Sequence, residues 1–344
     1  MENTNSSEIE YDTYQIEYDQ DKFDSMNLND HLLRGIYAYG YEFPSTIQQK
    51  AIIPVSLGKD IIAQAQSGTG KTATFTIGTL QRINPELKEL QSLVLAPTHE
   101  LANQIFHVFK SLSHYMPIKL SLIMGGSSIK DNIEELLSKP HIVIGTPGRI
   151  LDLIINREIL TINNLKSIVV DEADEMLSHG FKNQLKHIIE HIPKQSQICL
   201  FSATMPQEML ELTNHFIVKP LRILVKNEEL TLEGIRQFYI YVDKESHKYD
   251  VLADLYNTIT ITQSIIYCNT RKRVEKLKQD IEQDGYNASC IHSDMKGSER
   301  HEIMKDFISG SSRLLISTDL LARGIDIQQV SVVINYDLSK YMEN

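Results

Sequence analysis

Cysteine is scarce, bases are outnumbered by acids, and no long apolar run interrupts the chain. Each shortage removes a class of protein. The three cysteines, Cys199, Cys268 and Cys290, stand alone in apolar surroundings. Three scattered thiols build neither a disulfide framework nor a zinc site, so they are expected to be buried structural residues of a protein from a reducing compartment, cytoplasmic or nuclear. No stretch approaches the about 20 apolar residues that a membrane span needs. The start, Met1-Glu2-Asn3-Thr4-Asn5, has neither the charge nor the apolar core of a secretory signal. The deficit of bases gives a net charge of −11, which by itself counts against a polyanionic partner. Much of the excess is local, however. Residues 1–24 hold eight acids against the single base Lys22, the composition of a solvated tail.

What is present fills two domains. At 344 residues and 42% hydrophobic composition the chain can bury two cores. Short apolar runs alternate with amphipathic stretches, the pattern of parallel βαβ units. Strands are expected at 61–63, 92–95, 142–144, 168–170 and 198–201. After a polar stretch the rhythm restarts, with strands at 237–242, 264–267, 288–291, 314–316 and 332–334. Helices are expected over Arg271 to Gln283 and Ser298 to Ile308. The reading is α/β: two tandem doubly wound parallel-sheet domains, with ligands at the C-terminal ends of the strands.

Directly after the first strand comes Ala65-Gln66-Ser67-Gly68-Thr69-Gly70-Lys71-Thr72, then a helical pattern. This is a phosphate-binding loop in its strand–loop–helix setting, with Ala65 in place of the first glycine. Gly68 and Gly70 let backbone N–H groups close round phosphate oxygens, and the helix adds its positive end. Lys71 is expected on the β- and γ-phosphates of ATP and the Thr72 hydroxyl on Mg²⁺. Roughly 100 residues on, the strand at 168–170 runs into Asp171-Glu172-Ala173-Asp174. Asp171 is placed to hold Mg²⁺, and Glu172 to orient or deprotonate the attacking water.

That tetrapeptide resembles the name-giving motif of the DEAD-box RNA helicases, and the likeness extends from Phe23 to nearly the end of the chain. It implies two RecA-like domains, with boundaries expected at 1–20 for an acidic disordered tail, 21–49 for the Q-motif region, 50–222 for the first domain, 223–234 for a linker and 235–344 for the second. Ser202-Ala203-Thr204 is similar to the motif that links hydrolysis to RNA through hydrogen bonds. Gly40 to Gln48 resembles the Q motif, in which Gln48 reads the donor–acceptor edge of adenine and Tyr41 stacks on it. Pro97, Thr98, Gly126, Thr146, Pro147, Gly148 and Arg149, with Thr270, Thr318 and Arg323 in the second domain, resemble the RNA contacts, and Asp326 a ribose contact. Contacts of this style position a backbone without reading bases, so RNA binding independent of sequence is implied. Translation-initiation or RNA-processing proteins are the implied partners of a monomer.

Two departures carry expectations. His99 stands where the family usually has arginine, so a mostly neutral ring replaces a fixed charge near the RNA path. His99→Arg is expected to raise RNA affinity and steepen the salt dependence by roughly one unit of slope; unchanged binding isotherms across a salt series would remove the assignment. In the family, the strand at 332–334 leads into an arginine-rich motif that supplies a finger to the transferring phosphoryl group. The sequence given stops at Asn344, before it, which implies a second domain short of its last strand and helix, and feeble turnover. Two alternatives therefore stand beside the RNA helicase: an ATP- and RNA-binding regulator with little hydrolysis, and a DNA helicase of the same superfamily.

Overall fold

The structure is a computed structural model, and it describes residues 21–178, 181–214, 216–224, 236–321, 327 and 329–339. Arg323 and Asp326, the stretch read as an acidic tail and most of that read as a linker lie outside the described residues.

The chain divides into two compact units, each built round one parallel sheet. In the first, β1 (Ile61–Gln64), β2 (Ser92–Leu95), β3 (Leu120–Ile123), β4 (Ile142–Gly145), β5 (Ser167–Val170), β6 (Gln197–Ser202) and β7 (Leu221–Leu224) lie in the order β3-β4-β2-β5-β6-β1-β7. The central strands β2, β4, β5 and β6 are buried at every position. Strands covered on both faces read as unbroken apolar runs, which is why the sequence disclosed them. One apolar cluster, from Leu93 and Val143 through Ile168 and Val170 to Leu200, fills one side of the sheet.

In the second unit, β8 (Ser264–Tyr267), β9 (Ser289–Ile291), β10 (Leu314–Ser317) and β11 (Val332–Asn335) order as β11-β8-β10-β9. Separate cores centred on Ile266 with Ile316, and on Phe307 with Leu315, cover its two faces. The helices Arg271–Gln283 and Gly297–Ile308 fall where the periodicity puts them.

Three differences from the sequence reading have physical causes. Residues 237–242 are not a strand. Phe238, Tyr239, Ile240 and Tyr241 are exposed, and no described strand pairs with them. Their β-branched and aromatic composition suits a pleated surface, but a strand also needs a neighbour to complete its hydrogen bonds. The edge strands β3 and β7 add to the strands expected from the sequence: β3 alternates half-buried and buried positions, and β7 begins directly after Pro220 and carries Arg222 at its second position. β7 also runs to Leu224, past the expected boundary at 222.

Cys199, Cys268 and Cys290 are buried free thiols. Burial pushes all three up from the usual thiol range, Cys268 to about 12, which leaves them protonated and unreactive. No described helix is long and apolar enough to cross a membrane.

Ahead of β1, the helix Asp30–Tyr39 crosses the C-terminal end of the helix His99–Leu112 at Gly35. A Cβ there would lie 2.0 Å from the Leu112 carbonyl oxygen, so only glycine allows the approach. Gly35→Ala is expected to cost about 2 kcal/mol, the range for overpacking a tight contact. Urea unfolding checks this: the midpoint should fall with the slope unchanged.

Candidate active site

The sheet order explains how distant residues meet. β6 lies between β1 and β5, so the loops leaving the C-terminal ends of these three parallel strands are neighbours. They are the phosphate loop, Ser202 to Thr204, and Asp171 to Asp174.

The loop leaves β1 with Ala65 buried, its N–H donating to the Ser202 carbonyl at 3.1 Å. Gln66, Ser67 and Thr69 shape the turn, with the Thr69 hydroxyl donating to Gln66 O at 2.7 Å. Gly68 and Gly70 have φ of 80° and 98°, the left-handed region that a side chain strains. At Gly70 a Cβ would also come within 2.5 Å of Gln48 Nε2. The helix Lys71–Arg82 follows at once, with Lys71 and Thr72 as its first two residues.

Lys71 is 6% exposed. Its ammonium lies 3.8 Å from Glu172 Oε1 and makes no hydrogen bond. A buried ammonium is costly unless its three donors are used. Opposite it stand Asp171 and Glu172, 2% and 4% exposed. Burial, with the Glu172 charge adding and Lys71 opposing, pushes Asp171 up to about 7. Glu172 has a φ of 46°, rare for a residue with a side chain. Its backbone N–H donates to Asp171 Oδ1 at 3.0 Å, which fixes the Asp171 carboxylate against the strand end.

Asp174 is the residue that sequence reasoning left without a role. The Thr204 hydroxyl donates to its Oδ2 at 2.6 Å, and Ser202 Oγ accepts the N–H groups of Asp174 and Thr204 at 3.4 and 3.3 Å. The tie joins segments 28 residues apart, and nothing in either motif by itself discloses it.

Gln48 is buried at the edge of the loop. Its Oε1 accepts from Ser45 N–H at 2.9 Å and its Nε2 donates to Gly70 O at 3.5 Å, while Ser45 Oγ donates to Thr69 O at 2.7 Å. The Q-motif helix Thr46–Ser56 is therefore capped by the residues that brace the phosphate loop. One hydrogen and one lone pair of the Gln48 amide are left for a further ligand. The Tyr41 ring packs against Tyr39, centroids 4.8 Å apart and planes tilted by 46°.

The residues expected at RNA sit at helix starts and tight turns. Thr98 Oγ1, after Pro97, accepts from Leu101 N–H at 3.2 Å. Thr146 precedes Pro147 at the first position of the helix Pro147–Leu151, and its Oγ1 accepts from Gly125 N–H at 3.5 Å. Gly126 has a φ of 77°, and Gly148 has open space where a side chain would stand. Arg149 donates to the buried Asn132 side chain. In the second unit Thr270 caps the helix Arg271–Gln283, and the Thr318 carbonyl accepts from Leu321 N–H. His292 is buried with Nε2 3.4 Å from Glu275 Oε1, and no described group of side chains could hold a metal ion with it.

Comparison with known proteins decides the family. Residues 45–212 match the DEAD/DEAH box helicase family and residues 247–344 the helicase conserved C-terminal domain. The ATP-dependent RNA helicase eIF4A of Chaetomium globosum is 55% identical over 95% of this chain and 83% of its own length. The chain belongs to the DEAD-box RNA helicases. Eukaryotic initiation factor 4A of Caenorhabditis elegans is 53% identical over 95% of this chain and 82% of its own. Among solved structures, Saccharomyces cerevisiae Dbp5 bound to RNA and ADP–BeF3 matches with a TM-score of 0.87 and 36% identity, over 94% of this chain and 82% of that one. As a DEAD-box protein the chain is an RNA helicase and ATP hydrolase of the eIF4A-like kind.

Proposed function

We propose that the first unit binds ATP with Mg²⁺ and hydrolyses it in response to single-stranded RNA, which both units hold. One observation carries this reading. The Lys71 ammonium is buried without a hydrogen bond, beside a carboxylate pair and at the mouth of a glycine-built loop. Phosphate oxygens supply the acceptors that it lacks. The Thr72 hydroxyl and the Asp171 carboxylate are oxygen donors, the set that a hard cation selects, and Mg²⁺ held there would neutralise charge on the phosphates.

Around that centre each residue has a task. The N–H groups from Gln66 to Thr72 cradle the β- and γ-phosphates. Glu172 accepts a proton from the water whose oxygen attacks the γ-phosphorus as the bond to ADP breaks. Asp174, Ser202 and Thr204 fix the geometry between the strands that carry these groups. Gln48 spends its remaining hydrogen and lone pair on the N7 and N6 edge of adenine, with Tyr41 on the ring face. Gln48→Ala is expected to weaken ATP binding about tenfold, the worth of two lost hydrogen bonds. Its preference for ATP over GTP should fall as well; an unchanged ratio of the two dissociation constants would refute the role.

RNA is held through its backbone, by the hydroxyls and N–H groups at Pro97, Thr98, Gly126, Thr146, Pro147, Gly148 and Arg149 and at Thr270, Thr318 and Arg323, with Asp326 on the ATP ribose. Helix starts suit phosphate and carry no base code, so binding follows shape and 2′-hydroxyls. ATP draws the units together on a bent strand, local duplex is pried apart, and hydrolysis releases it. The protein acts as a monomer beside translation-initiation or RNA-processing proteins. Phosphate release measured against single-stranded RNA and DNA tests the reading: stimulation by RNA alone is expected, and equal rates with and without RNA would contradict it.

A further inference from the structure

A second surface of basic and aromatic side chains lies on the first unit, outside the phosphate loop and the residues assigned to RNA above. The last turns of the helices Asp30–Tyr39 and His99–Leu112, held together at Gly35, enclose an open cleft of about 540 Å³. Tyr39, His107, Lys110, His114 and Tyr115 line it, with Ala38 and Ser111. No carboxylate lines it among the described residues. The Arg34 guanidinium stacks over the Tyr115 ring at 4.1 Å, and His114 packs edge-on against the same ring at 4.9 Å. Tyr39 is 43% exposed, with its ring packed at a tilt against Tyr41.

A cation near the C-terminus of a helix favours the helix dipole by a few tenths of a kcal/mol, and Lys110 alone would meet that need. Two cations, Arg34 and Lys110, and two imidazoles interleaved with two tyrosine rings exceed it. In a chain of net charge −11 this lining holds no carboxylate among the described residues. Cations that track phosphates, alternating with aromatic faces on which bases stack, make the surface used for single strands.

We infer that this cleft is an additional contact for single-stranded RNA, taking the part of a long strand that extends beyond the nucleotides held at the helix starts. Phosphates meet Arg34, Lys110 and the imidazoles, and a base lies on the open face of Tyr39. The inference rests on RNA being the ligand of the chain, as proposed above. It differs in requiring strand length.

The test compares a short oligoribonucleotide, long enough only for the proposed backbone contacts, with a long unstructured strand. Both are bound to the full chain with a non-hydrolysable ATP analogue. In Arg34→Gln/Lys110→Gln the long strand should bind about tenfold more weakly, and its salt slope should fall by about 1.4, the value for two phosphate contacts on a single strand. Affinity for the short strand should hold. The single exposed replacement Lys110→Glu should show the same length-dependent loss and leaves the Arg34–Tyr115 stack and its His114 neighbour unaltered. Unchanged affinity for the long strand overturns the inference, as does an equal loss for both lengths, which would place these cations on the main strand path. Binding of polyglutamate lost in the same variants, with RNA binding intact, overturns it in favour of an acidic protein. Failure of the unaltered chain to bind either strand refutes the proposed function itself and this contact with it.

Discussion

Lys71→Ala is expected to abolish measurable ATP hydrolysis, with a loss on the order of 10³ or more, the scale for removing one preorganised charge from a developing oxyanion. The helix Lys71–Arg82 keeps its first residue and good helix propensity, so the fold should persist. The site loses the buried ammonium that stands 3.8 Å from Glu172, and two buried carboxylates then face each other without a cation. Asp171, already pushed up to about 7 by burial and the neighbouring Glu172 charge, is driven higher still, because Lys71 is what opposes the rise. Nucleotide affinity should fall together with turnover. Isothermal titration with ATP and Mg²⁺ measures the first and phosphate release the second. Retained tight binding with normal turnover would remove Lys71 from the site.

Glu172→Gln should separate the two quantities. The amide keeps the size of the carboxylate and one acceptor oxygen while the other becomes an NH2 donor, and the N–H bond from residue 172 to Asp171 is a backbone bond that survives. ATP affinity is therefore expected to hold. The base is gone, and kcat should fall by about 10²–10⁴. Since RNA is released after hydrolysis in the proposed cycle, the variant should hold RNA more tightly than the unaltered chain when ATP is supplied, and equally when it is not. Coupling of that kind is reciprocal, so RNA should tighten ATP binding by the same factor. Loss of affinity in proportion to the loss of rate would make Glu172 a binding residue instead of a base.

The parts of this molecule that were legible in the sequence share one property: the physics that fixes them is local. Gly68 and Gly70 occupy left-handed backbone conformations that the loop requires. β2, β4, β5 and β6 are buried on both faces, and continuous apolar runs follow. Residues 237–242 show the reverse case, where local preference for a strand goes unanswered by any described partner. The edge strands β3 and β7 had weaker local signals because burial covers only part of them. In the site, the tie of Thr204 and Ser202 to Asp174 depends on β6 lying beside β5, an adjacency that strand order sets and that no single motif encodes. The same holds for the cleft at Tyr39 and Lys110, which exists because Gly35 lets two helices approach. Gln48 was readable as an adenine contact by its donor and acceptor. Its bracing of Gly70 was not, since that bond spans 22 residues.

The central claim is that Lys71 and Asp171 serve one metal–nucleotide complex. A crystal structure of the chain with Mg²⁺ and a non-hydrolysable ATP analogue tests it most directly. The account predicts Lys71 Nζ within about 2.7–2.9 Å of β- or γ-phosphate oxygens, the charge-assisted range, with the Asp171 carboxylate turned to the ion on the same phosphates. A nucleotide bound elsewhere, or one that leaves these two side chains too far apart to share it, would contradict the account.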